Sequence, residues 1–150
     1  KRAGAWCTSF RGQSYEGDER IIPIVVNSTN MTAPTGDGPA LQSIDNVETL
    51  FHEFGHALHS FMRDVRYNGA GGVERDFVEL PSQVNEHWAF EPEVLAVYAK
   101  HYKTGEVIPA ELVEKIQKNP ALLKKFNTEP VKVVEELVGY AIPRLLGEKE

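Results

Sequence analysis

One stretch of this chain leaves little freedom in how it folds. Across residues 46–65 the apolar side chains Val47, Leu50, Phe51, Phe54, Leu58, Phe61 and Met62 recur at helical spacing. The same stretch carries His52-Glu53-Phe54-Gly55-His56, an H-E-x-x-H pattern. In a helix, positions i and i+4 stand one turn apart on one face, about 6 Å along the axis. Two imidazoles so placed can share one metal ion, and zinc takes His nitrogen at roughly 2.0–2.1 Å. Glu53 follows the first His and so sits beside such an ion, where it can take a proton from a water. The pattern becomes a site only if the segment is helical and another element delivers a third ligand.

The third ligand is therefore the next thing to find. The continuation H-E-x-x-H-x-x-G-x-x-H is excluded, because position 59 is His and position 62 is Met. The other solution is a carboxylate from a second helix. Glu79 is the best placed, with Glu74 and Glu86 as runners-up. Residues 67–73 include Gly69, Gly71 and Gly72, so the chain loops there and can bring a second helix back against the first. His52, His56 and Glu79 then make the three-ligand set of an open catalytic zinc site, one ion per chain. His59, one turn beyond His56, reads as a residue behind the ligands or at the core edge. Gln83 and Glu86 lie at i+4 and i+7 from Glu79 and could accept the free N–H of a ligand imidazole. Their plain alternative is a solvated helix face.

The remaining elements are mostly helical. Residues 21–27 form a β-branched run and read as a strand, with Pro23 confining it to an edge or a strand start. Residues 28–39 are rich in Thr, Asn, Pro and Gly and read as a loop. Asp45 is the expected cap of the motif helix, with Glu48 completing a capping box. A second helix is expected from near Asp76 or Leu80 to Phe90, ended by Pro92. Further helices are expected at 94–102, closed by Gly105, and at 109–118, 121–126 and 131–146, with Pro143 framing the last turn. The fold class is mainly α with a small β element near the N-terminus.

Composition removes several alternatives. A chain of 150 residues can bury one core, so a single domain over 1–150 is expected. The net charge of −6, with no basic stripe, argues against nucleic acid as a partner. No apolar run approaches the roughly 20 residues of a membrane span, and no signal peptide is visible. Cys7 is the only cysteine. It excludes an internal disulfide and a cysteine cage for zinc, and favours a reducing, cytoplasmic setting. Lys1 in place of Met, with Trp6 and Phe10 close behind, reads as a piece of a longer protein or an engineered chain.

Two separated segments carry a family likeness. LFHEFGHALH at 50–59 and DFVELPSQ at 76–83, followed by EHWAFEPEVL at 86–95, resemble the thimet oligopeptidase and peptidyl-dipeptidase family of zinc peptidases. KRAGAWCTSF at 1–10 resembles the family sequence upstream of the zinc site. The likeness is closest to the bacterial peptidyl-dipeptidases and covers roughly 1–118, leaving 119–150 as a helical tail of separate character. It implies a zincin-like helical core, zinc at His52, His56 and Glu79, and Glu53 as base. Family members continue into a Gly- and Tyr-rich segment implied to bind substrate and stabilise the tetrahedral intermediate. Nothing after Asn119 resembles it, Gly139-Tyr140 being too short. A large helical N-terminal part that roofs a channel in the family has no counterpart here.

The expected activity is zinc-dependent hydrolysis of short peptides with Glu53 as general base, releasing C-terminal dipeptides. The expected partner is a short extended peptide, which could add as a strand beside 21–27. The loop at 69–72 could flank the cleft, or be a plain interhelical turn. Two other classes compete: a zinc-binding but inert fragment or designed scaffold, and a structural helical domain whose motif is incidental.

Overall fold

The computed structural model describes residues 4–34, 36–67 and 69–118. The helices expected at 121–126 and 131–146 lie outside the described residues. Within them the architecture is mainly helical, with a small β part at the N-terminus. Strand β1 (Trp6–Arg11) pairs antiparallel with β4 (Ile24–Ser28), and a hairpin of β2 (Ser14–Glu16) and β3 (Glu19–Ile21) is inserted between them. Then follow α1 (Ile44–Met62), α2 (Leu80–Glu86), a 3-10 turn (His87–Phe90), α3 (Pro92–Tyr98) and α4 (Ala110–Lys118).

The single strand expected at 21–27 is two. Ile21 ends β3 and Ile24 begins β4, with Pro23 between them. Proline has no N–H for the ladder and a fixed φ, so the chain changes partner there. Gly17 opens the two-residue β2–β3 loop with φ 63°, the left-handed region that the first position of a II′ turn demands. Cys7 pairs with Asn27, and the register slips between Ser9 and Arg11.

Helix α1 begins earlier and ends earlier than its apolar pattern suggests. The cap is Ser43, whose Oγ accepts from the Asn46 N–H at 3.2 Å, and Asp45 lies inside the first turn. The expected Asp45 cap is thus corrected. Ser43 is extended and ideally placed to receive an N–H three residues on, and an acidic Asp45 still suits the positive end of the helix. At the other end the helix stops at Met62 rather than residue 65. Arg20 from the hairpin donates to the carbonyls of Phe61 and Arg63, at 3.2 and 2.7 Å, and Gln13 Oε1 takes the Val65 N–H at 2.9 Å. These partners satisfy the terminal backbone groups that a longer helix would have used. Tyr15 adds a hydrogen bond to Asp64 at 2.8 Å, fixing the hairpin on this end of α1.

Downstream, Pro81 sits in the first turn of α2 and Pro92 in the first turn of α3. Both are positions where a missing N–H costs nothing. The helix expected to run through Phe90 tightens to 3-10 geometry after Glu86. Helix α3 ends at Tyr98, not at residue 102, because Lys100 bridges to Val107 and His101 N–H bonds to the Glu106 carbonyl. Gly105, at φ 74°, makes the turn between them. The apolar core of the described residues is small: Ala57, Ala89, Leu95, Val113 and Ile116. The expected apolar face of α1 is only half covered, with Leu50, Phe54, Phe61 and Met62 all exposed.

Candidate metal centre

His52, Glu53 and His56 occupy consecutive turns of α1, and the two imidazole rings meet edge to face with centroids 4.9 Å apart. Gly55, between them in sequence, decides how near α2 can come. A Cβ there would stand 2.6 Å from the Ser82 Cα and 2.8 Å from the Pro81 carbonyl oxygen. Glycine in a helix interior costs about 1 kcal/mol relative to alanine. Here that cost permits direct backbone contact between α1 and α2. Asn85 Nδ2 reinforces the crossing by donating to the Phe51 carbonyl at 2.6 Å.

The crossing sets down Glu79, the residue before α2, opposite the imidazoles. Its Oε2 lies 3.2 Å from His52 Nε2 and 3.2 Å from His56 Nε2. Donor atoms of the three residues all fall within 4.8 Å of one another, the one such group of His, Cys, Asp and Glu among the described residues. Four tetrahedral bonds of 2.0–2.1 Å place neighbouring donors about 3.3 Å apart. The two separations from the Glu79 oxygen fit that shape.

Glu86 Oε1 faces His52 Nδ1 at 2.5 Å. A neutral imidazole donates from one nitrogen only. In the neutral tautomer that donates from Nδ1 to Glu86, Nε2 keeps its lone pair on the Glu79 side, where it can ligate a cation. The donor set, two imidazole nitrogens and one carboxylate oxygen, suits zinc with a position left open.

Glu53 is buried, at 6% exposed. Its charge reaches β1: the Cys7 thiol is pushed up, first by burial and then by the Glu53 carboxylate. On the other side of His52, residues Glu48, Thr49, His52 and Glu86 line a shallow cleft of about 320 Å³. Glu48 is pushed up there by burial, then by the charges of Glu86 and Asp45.

Of the carboxylates open as third ligand, Glu79 is the one set against both imidazoles, Glu86 stands behind His52, and Glu74 is exposed and apart. His59 lies edge-on to Phe77, with centroids 6.4 Å apart, outside the three-residue group. Gln83 is exposed on α2. Gly55, Ser82 and Asn85 were not singled out by the sequence reading. The one available signal was a glycine in the middle of an otherwise strong helix.

Replacing Gly55 by Ala tests the crossing. The helix itself gains about 1 kcal/mol, but a methyl 2.6 Å from backbone must displace α2. Overpacking of this kind costs about 1–3 kcal/mol. Urea denaturation should show a net loss of stability, and zinc titration a weaker site. A variant equal to the parent in both would mean that α2 can shift freely.

The description "Peptidase family M3" fits residues 1–129 as a sequence model. The chain belongs to this family. Among M3 relatives, a dipeptidyl carboxypeptidase of Salmonella typhimurium is 42% identical over 144 residues, covering 95% of this chain and 20% of that protein. A dipeptidyl carboxypeptidase of Escherichia coli is 45% identical over 127 residues, covering 83% and 18%. Oligopeptidase A of Escherichia coli is 43% identical over 120 residues, covering 77% and 18%. The chain thus spans about a fifth of the length of these M3 relatives. The family match runs past Lys118 to residue 129. No helix among the described residues is long and apolar enough to cross a membrane.

Proposed function

We propose that this chain is the zinc-binding core of an M3 peptidase that hydrolyses short peptides and releases C-terminal dipeptides. The observation that carries this reading is the convergence of His52 Nε2, His56 Nε2 and Glu79 Oε2, at 3.2 Å from the carboxylate to each imidazole. Zinc held there would supply Lewis-acid chemistry, polarising a carbonyl and acidifying a water toward a pKa of about 7.

The chain's own side chains do the rest. Glu86 holds His52 through Nδ1, which fixes the tautomer that leaves Nε2 free to ligate. Glu53 takes the proton of the attacking water and returns it to the leaving amine. Its burial keeps bulk water from competing for that proton. The peptide lies extended along β4. That strand pairs only with β1 among the described residues, so its other edge offers backbone donors and acceptors for strand addition. Dipeptide release is the favoured mode because two of the most similar relatives are named dipeptidyl carboxypeptidases. Relatives named oligopeptidase A support internal cleavage instead. The lone thiol of Cys7 suits the reducing cytoplasm.

A second reading is that this segment by itself binds zinc without turnover. Mass spectrometry of a short-peptide mixture incubated with the zinc-loaded chain separates the two, with Glu53→Ala protein as the blank. C-terminal dipeptides released only by the unsubstituted chain are the expected result. Internal cuts would move the assignment to an oligopeptidase. Cleavage no greater than the blank would leave zinc binding as the function of this segment.

A further inference from the structure

We infer that Ser82 is a positioning residue for the metal centre, acting through the Glu79 carboxylate. The inference rests on the zinc reading above and adds to it a residue outside the ligand set. Ser82 is fully buried, whereas the Glu79 side chain is 51% exposed. An exposed glutamate carries several free torsions, and each must be fixed before it can ligate. The Ser82 hydroxyl lies 3.0 Å from Glu79 Oε2 and 2.9 Å from the Glu79 carbonyl oxygen. Oε2 is also the atom set 3.2 Å from both imidazoles. A hydroxyl has one proton, and both of its neighbours here are acceptors. The carboxylate is the charged acceptor, so the hydrogen bond to it is the stronger one.

Placement explains why this residue can do the work. The Ser82 Cα is the backbone atom pressed against Gly55. Ser82 is therefore fixed relative to the helix that carries His52 and His56. Through its hydroxyl it ties the third donor to the same point. The sequence shows why the arrangement is compact: Glu79 precedes α2 and Ser82 follows three residues later, so one turn of chain returns the hydroxyl to the carboxylate. A second tie, Asn85 to the Phe51 carbonyl, holds the crossing but touches no ligand.

The experiment is a zinc affinity measurement by chelator competition on four chains: unsubstituted, Ser82→Ala, Glu79→Ala and the double variant. Ser82→Ala keeps the small side chain that the crossing needs. It should weaken zinc about 10–100-fold, the range for partners behind a ligand. In the Glu79→Ala background the same substitution should change affinity less than twofold, since its target is gone. An equal loss in both backgrounds would overturn the inference and make Ser82 a packing residue. No loss in either would overturn it as well. Melting of the metal-free chains serves as the folding control. If the unsubstituted chain itself binds no zinc, the proposed function falls and this inference with it. A loss confined to Ser82's role leaves that function standing.

Discussion

Glu53→Gln should lower peptide cleavage by about 10²–10⁴-fold while zinc stays bound at one per chain. The substitution keeps the shape of the side chain and removes only its capacity to hold a proton. Glu53 is not among the three residues whose donor atoms converge, so metal affinity has no reason to fall. Stability has no reason to fall either. Glu53 is buried, and a buried carboxylate carries a larger desolvation cost than a neutral amide. The Cys7 thiol offers a readout independent of turnover. It is raised by burial and by the charge of Glu53, and Glu53→Gln removes the second cause. More of the thiol is then ionised at neutral pH, so alkylation of Cys7 should quicken in the variant. Undiminished turnover with faster alkylation would show the charge removed and the base elsewhere.

The α1 site was legible because its demands are local. Two ligands four residues apart need only a helix, and the periodicity of 46–65 supplies one. Glu79 was legible as a candidate because the glycine-rich loop reverses the chain before it, but Glu74 and Asp76 come first after that loop, and it is the structure that sets Glu79 against both imidazoles. One misread feature depends on a residue distant in sequence, and the others on local pairings that periodicity does not report. Met62 ends α1 because Arg20, more than forty residues earlier, takes its last carbonyls. Tyr98 ends α3 because residues beyond it pair across a turn. Ser43, rather than Asp45, caps α1 although either residue type is suited to the task, and periodicity cannot choose between neighbours. The closeness of the helices at Gly55 was also hidden, because a glycine states only that no side chain is present and not what fills the space.

Glu79→Ala should have the largest effect on the metal, a loss of affinity well beyond the 10–100-fold typical of outer partners. The substitution leaves two imidazoles and no carboxylate among the three converging residues. It also takes away a negative charge that lies 3.2 Å from each imidazole. Little else changes. The Glu79 side chain is half exposed, and Ser82 retains the backbone carbonyl of residue 79 as an acceptor. The His52–Glu86 hydrogen bond and the Asn85–Phe51 tie are untouched. Melting with and without metal then isolates the ligand role. A ligand that binds only the folded chain stabilises it by about 2.7 kcal/mol at a free concentration a hundred times Kd. The unsubstituted chain should melt higher with zinc than with chelator, and Glu79→Ala should lose most of that difference while its metal-free melting stays in place. Glu86→Ala is the informative partner. If Glu86 supports His52 from behind, its removal should weaken zinc by 10–100-fold and leave a measurable zinc-dependent shift. Should Glu86→Ala abolish the shift and Glu79→Ala spare it, the third ligand would be Glu86, and α2 would have to turn on α1 to bring it round.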